Sequence, residues 1–313
     1  MRKFLILFGL VFTGLLSSES YITYEFSGGR FGDCLLSYLH AKWLSYKYQL
    51  PLLYKPFKYS SDLCLDAKEQ AYPSYSYRIH RKLSRQNPSP DFGYASCIYE
   101  CPYFPEDPSD RWLNPQRYRI EVDWKDKQFR KIVREMISPK VDLVLTIPPA
   151  STINIAIHIR EGGGYDTDHT RLYDPLKLPP LSFYIEGLRE VLDLFVGHHI
   201  YCYLFTDAAD PALLAVELAK NIPDDASVQI DFRKIGNHHA ANVLEDFFSL
   251  FQFDALIRPQ SNYSIVASCI HDFAVVFFPT NFQRAGNQIT ITEMILEKNE
   301  EIYQDAIART AIP

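Results

Sequence analysis

Two basic residues close an apolar run in Asn154-Ile-Ala-Ile-His158-Ile-Arg160, which then breaks off into Glu161 and three glycines, Gly162 to Gly164. The alternating branched residues predict a buried strand over 153–159, and the glycines predict its exit. Open α/β sheets bind their ligands at the carboxyl ends of strands, which is where this places His158 and Arg160. An arginine offers a planar fork of donors suited to phosphate or carboxylate, and glycines let a ligand come close to the backbone. The chemistry implied is anion binding. A local ion pair of Arg160 with Glu161 or Asp166 is the structural alternative.

Other polar groups fall at the same sheet end. Asp207 follows the strand predicted over 200–205, placed either to bond a base or ribose or to cap the helix starting near Pro211. Gln260, Ser261 and Ser264 enter a further helix, whose free N–H groups and hydroxyls suit a phosphate, although serines there also serve as plain caps. Asp246, beside Glu245, is a further candidate to face a cleft. The pair His238-His239 lacks partners at metal-ligand spacing, so no metal is expected. Near the N-terminus, Ser27-Gly-Gly29-Arg30-Phe-Gly32-Asp33 joins a strand over 21–26 to a helix over 34–48. A carboxylate at a helix start caps it well and repels phosphate, so this loop is better used to present Arg30 across a cleft.

Elements able to hold these groups in place follow from periodicity. The first half opens as a β-α-β unit with a second strand at 50–54, turns irregular over 55–116 as an expected acceptor-binding region, and ends with a helix over 125–137. The second half alternates more regularly, with strands at 153–159, 200–205, 227–232, 255–257 and 273–278 separated by helices, which predicts a parallel sheet. At 313 residues the chain exceeds the usual single domain, and a boundary is expected near residue 150.

A net charge of −6 leaves no global basic field for nucleic acid, so a phosphate ligand must be gripped locally. Arg2 and Lys3 precede an apolar run from Phe4 to Leu16, followed by small polar residues. That is the layout of a signal peptide over 1–20, or of a short uncleaved anchor. The first alternative implies the secretory pathway or cell envelope, the second the cytoplasmic face of a membrane. Of six cysteines, Cys97 and Cys101 have the spacing for a local disulfide, while Cys34, Cys202 and Cys269 are expected as buried thiols. Asn262-Tyr-Ser264 is formally a glycosylation sequon.

Taken in order, these motifs resemble the fucosyltransferase superfamily, in particular bacterial α-1,2-fucosyltransferases and protein O-fucosyltransferases. Gly29-Arg-Phe-Gly-Asp33 is similar to that family's Gly-Arg-Leu/Phe-Gly-Asn loop, His158-Ile-Arg160 to its His-x-Arg strand end, Phe205-Thr-Asp207 to its Ser/Thr-Asp strand end, and Gln260-Ser-Asn-Tyr-Ser264 to its Asn-Ser-Ser-Phe-Ser helix entry. Asp33 stands where the family has Asn, and Glu161-Gly-Gly-Gly replaces the usual continuation.

The resemblance implies a GT-B-like fold of two Rossmann-like domains facing a cleft. The acceptor-side domain would span 21–150 and the more regular nucleotide-sugar domain 151–313. It implies an inverting, metal-independent transferase that moves fucose from GDP-fucose, without a further cofactor, to a glycan or protein hydroxyl. In that role Arg160 neutralises the departing β-phosphate, helped by Arg30, and Asp33 is the chosen base among Asp33, Glu161, Asp166 and His158. Ser261 and Ser264 hold phosphate oxygens, Asp207 contacts the nucleoside, and Gly29, Gly32, His158 and Gln260 complete the sugar-donor site. The alternatives are another nucleotide sugar on the same fold, or a non-catalytic nucleotide- or carbohydrate-binding protein.

Overall fold

The structure is a computed structural model that describes residues 20–74, 78–84, 89–91, 96–103, 122–162, 172, 174–223 and 226–310. The leader over 1–19, Gly163, Gly164 and Asp166 lie outside the described residues. Among the described residues, no helix is long and apolar enough to cross a membrane.

The first domain begins with β1 (Tyr21–Tyr24), fully buried, and continues after the glycine loop into helix α1 (Phe31–Tyr48). The helix starts three residues earlier than the periodicity predicts. Its signal is the Asp33 carboxylate at the third helical position, which reaches back to accept the Arg30 N–H at 3.1 Å. Such a reciprocal cap sets the helix start one turn ahead of the acidic residue. Strand β2 (Leu53–Tyr54) joins β1 through the Ile22–Leu52 bridge and pairs with β3 (Gln70–Ala71), which follows the short helix α2 (Leu65–Lys68). On the other side, β5 (Cys97–Cys101) lies between β1 and β4 (Ile79–Lys82). All of these pairings are parallel.

The stretch expected to be irregular therefore contains three strands. They are two to five residues long, and β3 and most of β4 are exposed, so no alternation betrays them in sequence. β5 also overturns the local disulfide. Four residues of extended strand separate Cys97 and Cys101 by about 13 Å, beyond any disulfide's reach. All six cysteines are free; Cys202 is buried as expected, whereas Cys34 and Cys269 are half-buried.

Helix α3 (Lys127–Ile137), capped by Asp126 accepting the Phe129 N–H at 2.9 Å, leads through an extended segment to the second domain. There β6 (Ile153–Ile159), β7 (Ile200–Thr206), β8 (Val228–Phe232) and β9 (Ala255–Ile257) form a parallel sheet with β10 (Val275–Ala285). Helices α4 (Leu181–Leu194), α5 (Pro211–Ala219), α6 (Val243–Ser249) and α7 (Asn262–Ile270) connect successive strands. The strand expected at 273–278 is only the start of β10, which turns at Gly286-Asn287 into antiparallel β11 (Gln288–Lys298), followed by α8 (Glu300–Thr310). Sheet order is β11-β10-β9-β6-β7-β8. A Gly-Asn pair between β-rich runs is a hairpin signal, and Gly286 has the positive φ of 63° that such a turn needs.

The period of two decides which side chains face where. Ile153, Ile155, Ile157 and Ile159 point into a core shared with α4 and α8, while Ala156 belongs to a second core shared with α1, α6, α7 and the first domain. His158 lies on that second face. The second core runs unbroken between the domains, with the Phe31 ring edge-on to Phe247 at 5.3 Å. At Gly32 the contact becomes backbone to side of backbone. A Cβ there would lie 2.4 Å from the Tyr263 nitrogen at the start of α7.

Gly32→Ala should therefore destabilise the protein by about 2 kcal/mol or more, the scale of overpacking where main chain must yield. The urea unfolding midpoint measures it, and an unchanged midpoint would show that α1 and α7 are not packed this closely.

Candidate active site

Between the two domains lies a cleft of about 490 Å³, lined on one side by residues 29–34, Lys58 and Tyr59, and on the other by strand ends and helix entries of the second sheet. Of the residues singled out in the sequence, Gly29, Arg30, Gly32, Asp33, His158, Arg160, Asp207 and Ser261 all line it. Arg160 donates from Nη1 to the Ser261 hydroxyl at 3.4 Å. Ser261 occupies the N-cap position of α7, yet its side chain makes no capping bond. Its hydroxyl faces the arginine and the cleft. Asp207 does not cap α5 either, since Asp210 does so by accepting the Ala212 N–H at 3.1 Å.

Two expected contact residues are withdrawn from the cleft. Gln260 is buried; its Nε2 donates to the Pro279 carbonyl at 2.7 Å and its Oε1 accepts from Arg258 at 3.2 Å. It braces the loop before α7. Ser264 is wholly buried and holds His158 Nδ1 at 2.8 Å while its Oγ donates to the Ser261 carbonyl at 3.3 Å. Burial pushes the His158 pKa down to about 4; Asp207 opposes this, and Arg160 and Arg258 add to it. His158 is neutral at physiological pH.

Asp33 lines the cleft with both carboxylate oxygens hydrogen-bonded. Its Oδ2 accepts the Arg30 N–H, and its Oδ1 accepts both the Tyr103 hydroxyl at 2.9 Å and Asn262 Nδ2 at 2.8 Å. Asn262 Nδ2 also donates to the Tyr103 oxygen at 2.8 Å. The carboxylate thus ties α1 to the first turn of α7. The same bonds engage the amide nitrogen of the formal sequon. Gly29 serves this knot too, because a Cβ on it would lie 2.4 Å from the Asp33 carboxyl carbon. Glu161, another candidate base, lines a separate, largely apolar pocket on the opposite face of β6.

The cleft also contains residues that the sequence did not single out as a group. Lys58 and Tyr59 extend from the loop after β2, and the Tyr59 hydroxyl crosses to donate to the Ala240 carbonyl at 3.1 Å. Tyr59 holds a φ of 71°, a conformation costly for an aromatic residue and without a sequence signature. Lys177, His238 and His239 add to the wall. Asp246 does reach the cleft, and Arg233 bonds its Oδ1 at 2.6 Å. Burial holds the Asp246 pKa above the usual carboxylate range, with Arg233 partly offsetting it. No group of His, Cys, Asp or Glu among the described residues is arranged to hold a metal ion.

No family model matches the chain, and no curated protein matches it in sequence. Solved structures do resemble it. A mutant of Arabidopsis thaliana FUT1 in complex with GDP superposes with a TM-score of 0.54 and 12% identity, covering 88% of this chain and 73% of that one. The α-1,6-fucosyltransferase NodZ soaked with GDP-fucose gives 0.44 at 14% identity, over 90% of this chain and 99% of that one. POFUT1 in complex with GDP-fucose gives 0.45 at 10% identity, over 82% and 95%. The likeness to FUT1 establishes the fold: two parallel-sheet domains facing a cleft, the GT-B arrangement of fucosyltransferases.

The buried neutral state of His158 has a consequence for stability. Its folded pKa lies below the unfolded value, so the unfolded chain binds the extra proton between pH 6.5 and 4 and stability falls as pH drops through that window. In His158→Gln the slope of unfolding free energy against pH should be shallower there, by up to about 1.4 kcal/mol per pH unit. Unfolding series at pH 7, 6 and 5 measure it, and an unaltered slope would show that His158 titrates normally.

Proposed function

We propose that this chain is an inverting glycosyltransferase that uses a GDP-sugar, GDP-fucose in particular, and transfers the sugar to a hydroxyl of a glycan or protein. The observation that carries this reading is the convergence of Arg160, Ser261 and, from the other domain, Arg30 on one cleft at the carboxyl edge of a parallel sheet. The fold shared with FUT1, whose structure holds GDP, supports a nucleotide in that place.

The reaction places its demand on the leaving group. As the acceptor hydroxyl oxygen attacks the anomeric carbon, the bond to the β-phosphate oxygen breaks, its electron pair leaves with GDP so that charge accumulates on the diphosphate, and the hydroxyl proton passes to a departing phosphate oxygen or to water. Donors and cations already aimed at that charge stabilise it most when they need not reorganise. Arg160 and Arg30 supply the positive charge, and the Ser261 hydroxyl with the first N–H groups of α7 receives phosphate oxygens. With guanidinium groups in this role, the transfer is read as metal-independent. Displacement from the face opposite the diphosphate inverts the anomeric centre.

Guanine as the base is supported by the Asp246 side of the cleft. Its N1–H and exocyclic amine form a pair of adjacent donors, and a carboxylate is an acceptor on both oxygens. Asp246 is the cleft carboxylate suited to that edge, with Arg233 holding one oxygen in place. Uracil offers a single ring N–H, which makes UDP the weaker ligand on this reading.

Calorimetric titration in EDTA tests the reading. GDP should bind more tightly than UDP, Arg160→Ala should weaken GDP at least tenfold, or about 1.4 kcal/mol, and Arg160→Lys should recover only part, because an ammonium lacks the fork. A folded protein indifferent to GDP would remove the proposal; GDP binding without release of fucose from GDP-fucose to any hydroxyl would leave a binding protein.

A further inference from the structure

Asp207 lines the cleft, but its Oδ1 is committed to the main chain, where it accepts the Glu161 N–H at 2.6 Å. Strands β6 and β7 pair in parallel as far as Ile159 and Thr206, so Arg160 and Glu161 are the first residues beyond the ladder. A backbone N–H leaving a sheet still needs an acceptor, and the carboxylate supplies what the next strand residue no longer can. Bonds to an ionised acceptor are roughly twice as strong as neutral ones. The guanidinium meanwhile reaches Ser261. The peptide that follows Arg160 is thus held at its N–H by Asp207, and the Arg160 side chain is aimed into the cleft.

We propose that Asp207 is a positioning residue for Arg160: through the Glu161 amide it fixes the peptide from which the guanidinium meets the diphosphate, and it does not contact the nucleoside. This rests on the nucleotide-sugar reading above and reassigns Asp207 from the role that the family resemblance implies. Removing the carboxylate lets the strand exit shift, and small displacements of a charged group at a site of this kind cost ten- to a hundredfold.

The test is equilibrium titration of the full chain and its variants with GDP and, separately, with guanosine, which lacks the phosphates that Arg160 meets. Asp207→Ala should weaken GDP on the order of tenfold and leave guanosine unchanged. Asp207→Asn, which keeps an oxygen for the amide, should recover most of the loss. In an Arg160→Ala background Asp207→Ala should add nothing, since residues acting through one another are not additive. Equal weakening of guanosine would overturn the proposal, whether from a nucleoside contact or from general damage to the fold. Unchanged or tighter GDP binding, or a full second loss in the Arg160→Ala background, would overturn it as well. A wild-type chain that is folded and binds neither ligand would remove the nucleotide reading itself, and this inference with it.

Discussion

The close approach of α1 to α7 is the contact on which the cleft depends. Because Gly32 has no side chain, the first turn of α7 can lie against the backbone of α1, and the four residues from Ser261 to Ser264 then act in four directions. Ser261 meets Arg160, Asn262 meets Asp33 and Tyr103, Tyr263 packs on Phe31 and Phe247, and Ser264 holds His158. The far end of the helix is held from the first domain too. Arg130 and Arg134 of α3 both donate to the Ile270 carbonyl and pair with Asp272, placing cations at a helix C-terminus, where the macrodipole favours them. A helix belonging to the second domain is in this way oriented by the first. The position of Ser261 beside Arg160 and the relative placement of the domains are one variable.

The second constraint is electrostatic. The cleft wall carries Arg30, Lys58, Arg160 and Lys177 against Asp33, Asp207 and Asp246. Each of these carboxylates is engaged: Asp33 by three hydrogen-bond donors, Asp207 by the Glu161 amide, and Asp246 by Arg233. Negative charge is thereby tied to the scaffold, while cationic side chains from both domains face the same space. That division of labour favours an anionic ligand in the cleft more than the net charge of −6 would suggest.

What was legible in the sequence was whatever repeats with a period. β6, β7 and β9 announce themselves as apolar runs ending in polar residues, and with them came the parallel sheet and the placing of His158, Arg160, Asp207 and Ser261 at one edge. Two kinds of feature were not legible. Strands such as β3 and β4 are too short and too exposed for alternation to show, and Lys58 with Tyr59 lie in a loop whose position is set by contacts 180 residues away, such as the Tyr59 bond to Ala240. Side-chain direction was the other gap. Gln260 and Ser264 stand beside Ser261 in sequence, yet their polar atoms serve Pro279, Arg258 and His158, and a motif gives no sign of which neighbour turns inward. The Gly286-Asn287 turn, by contrast, was readable, and following it would have found β11.

Asp33 shows how a departure from a resembled motif becomes intelligible once its partners are known. The fucosyltransferase pattern has an amide at this position, and the resemblance made the acid the chosen base. Three donors converge on it: a backbone N–H, a phenol and the Asn262 amide nitrogen. A carboxylate is an acceptor on both oxygens, whereas an asparagine would turn an NH₂ group toward at least one of those donors and leave it unsatisfied. The acid at 33 and the amide at 262 are therefore complementary halves of one junction, and exchanging only one of them sets donor against donor or acceptor against acceptor. Burial raises the Tyr103 pKa, and the adjacent Asp33 charge raises it further, so the phenol remains a donor to that carboxylate. The residue that departs from the pattern is the one that the interface between the domains requires.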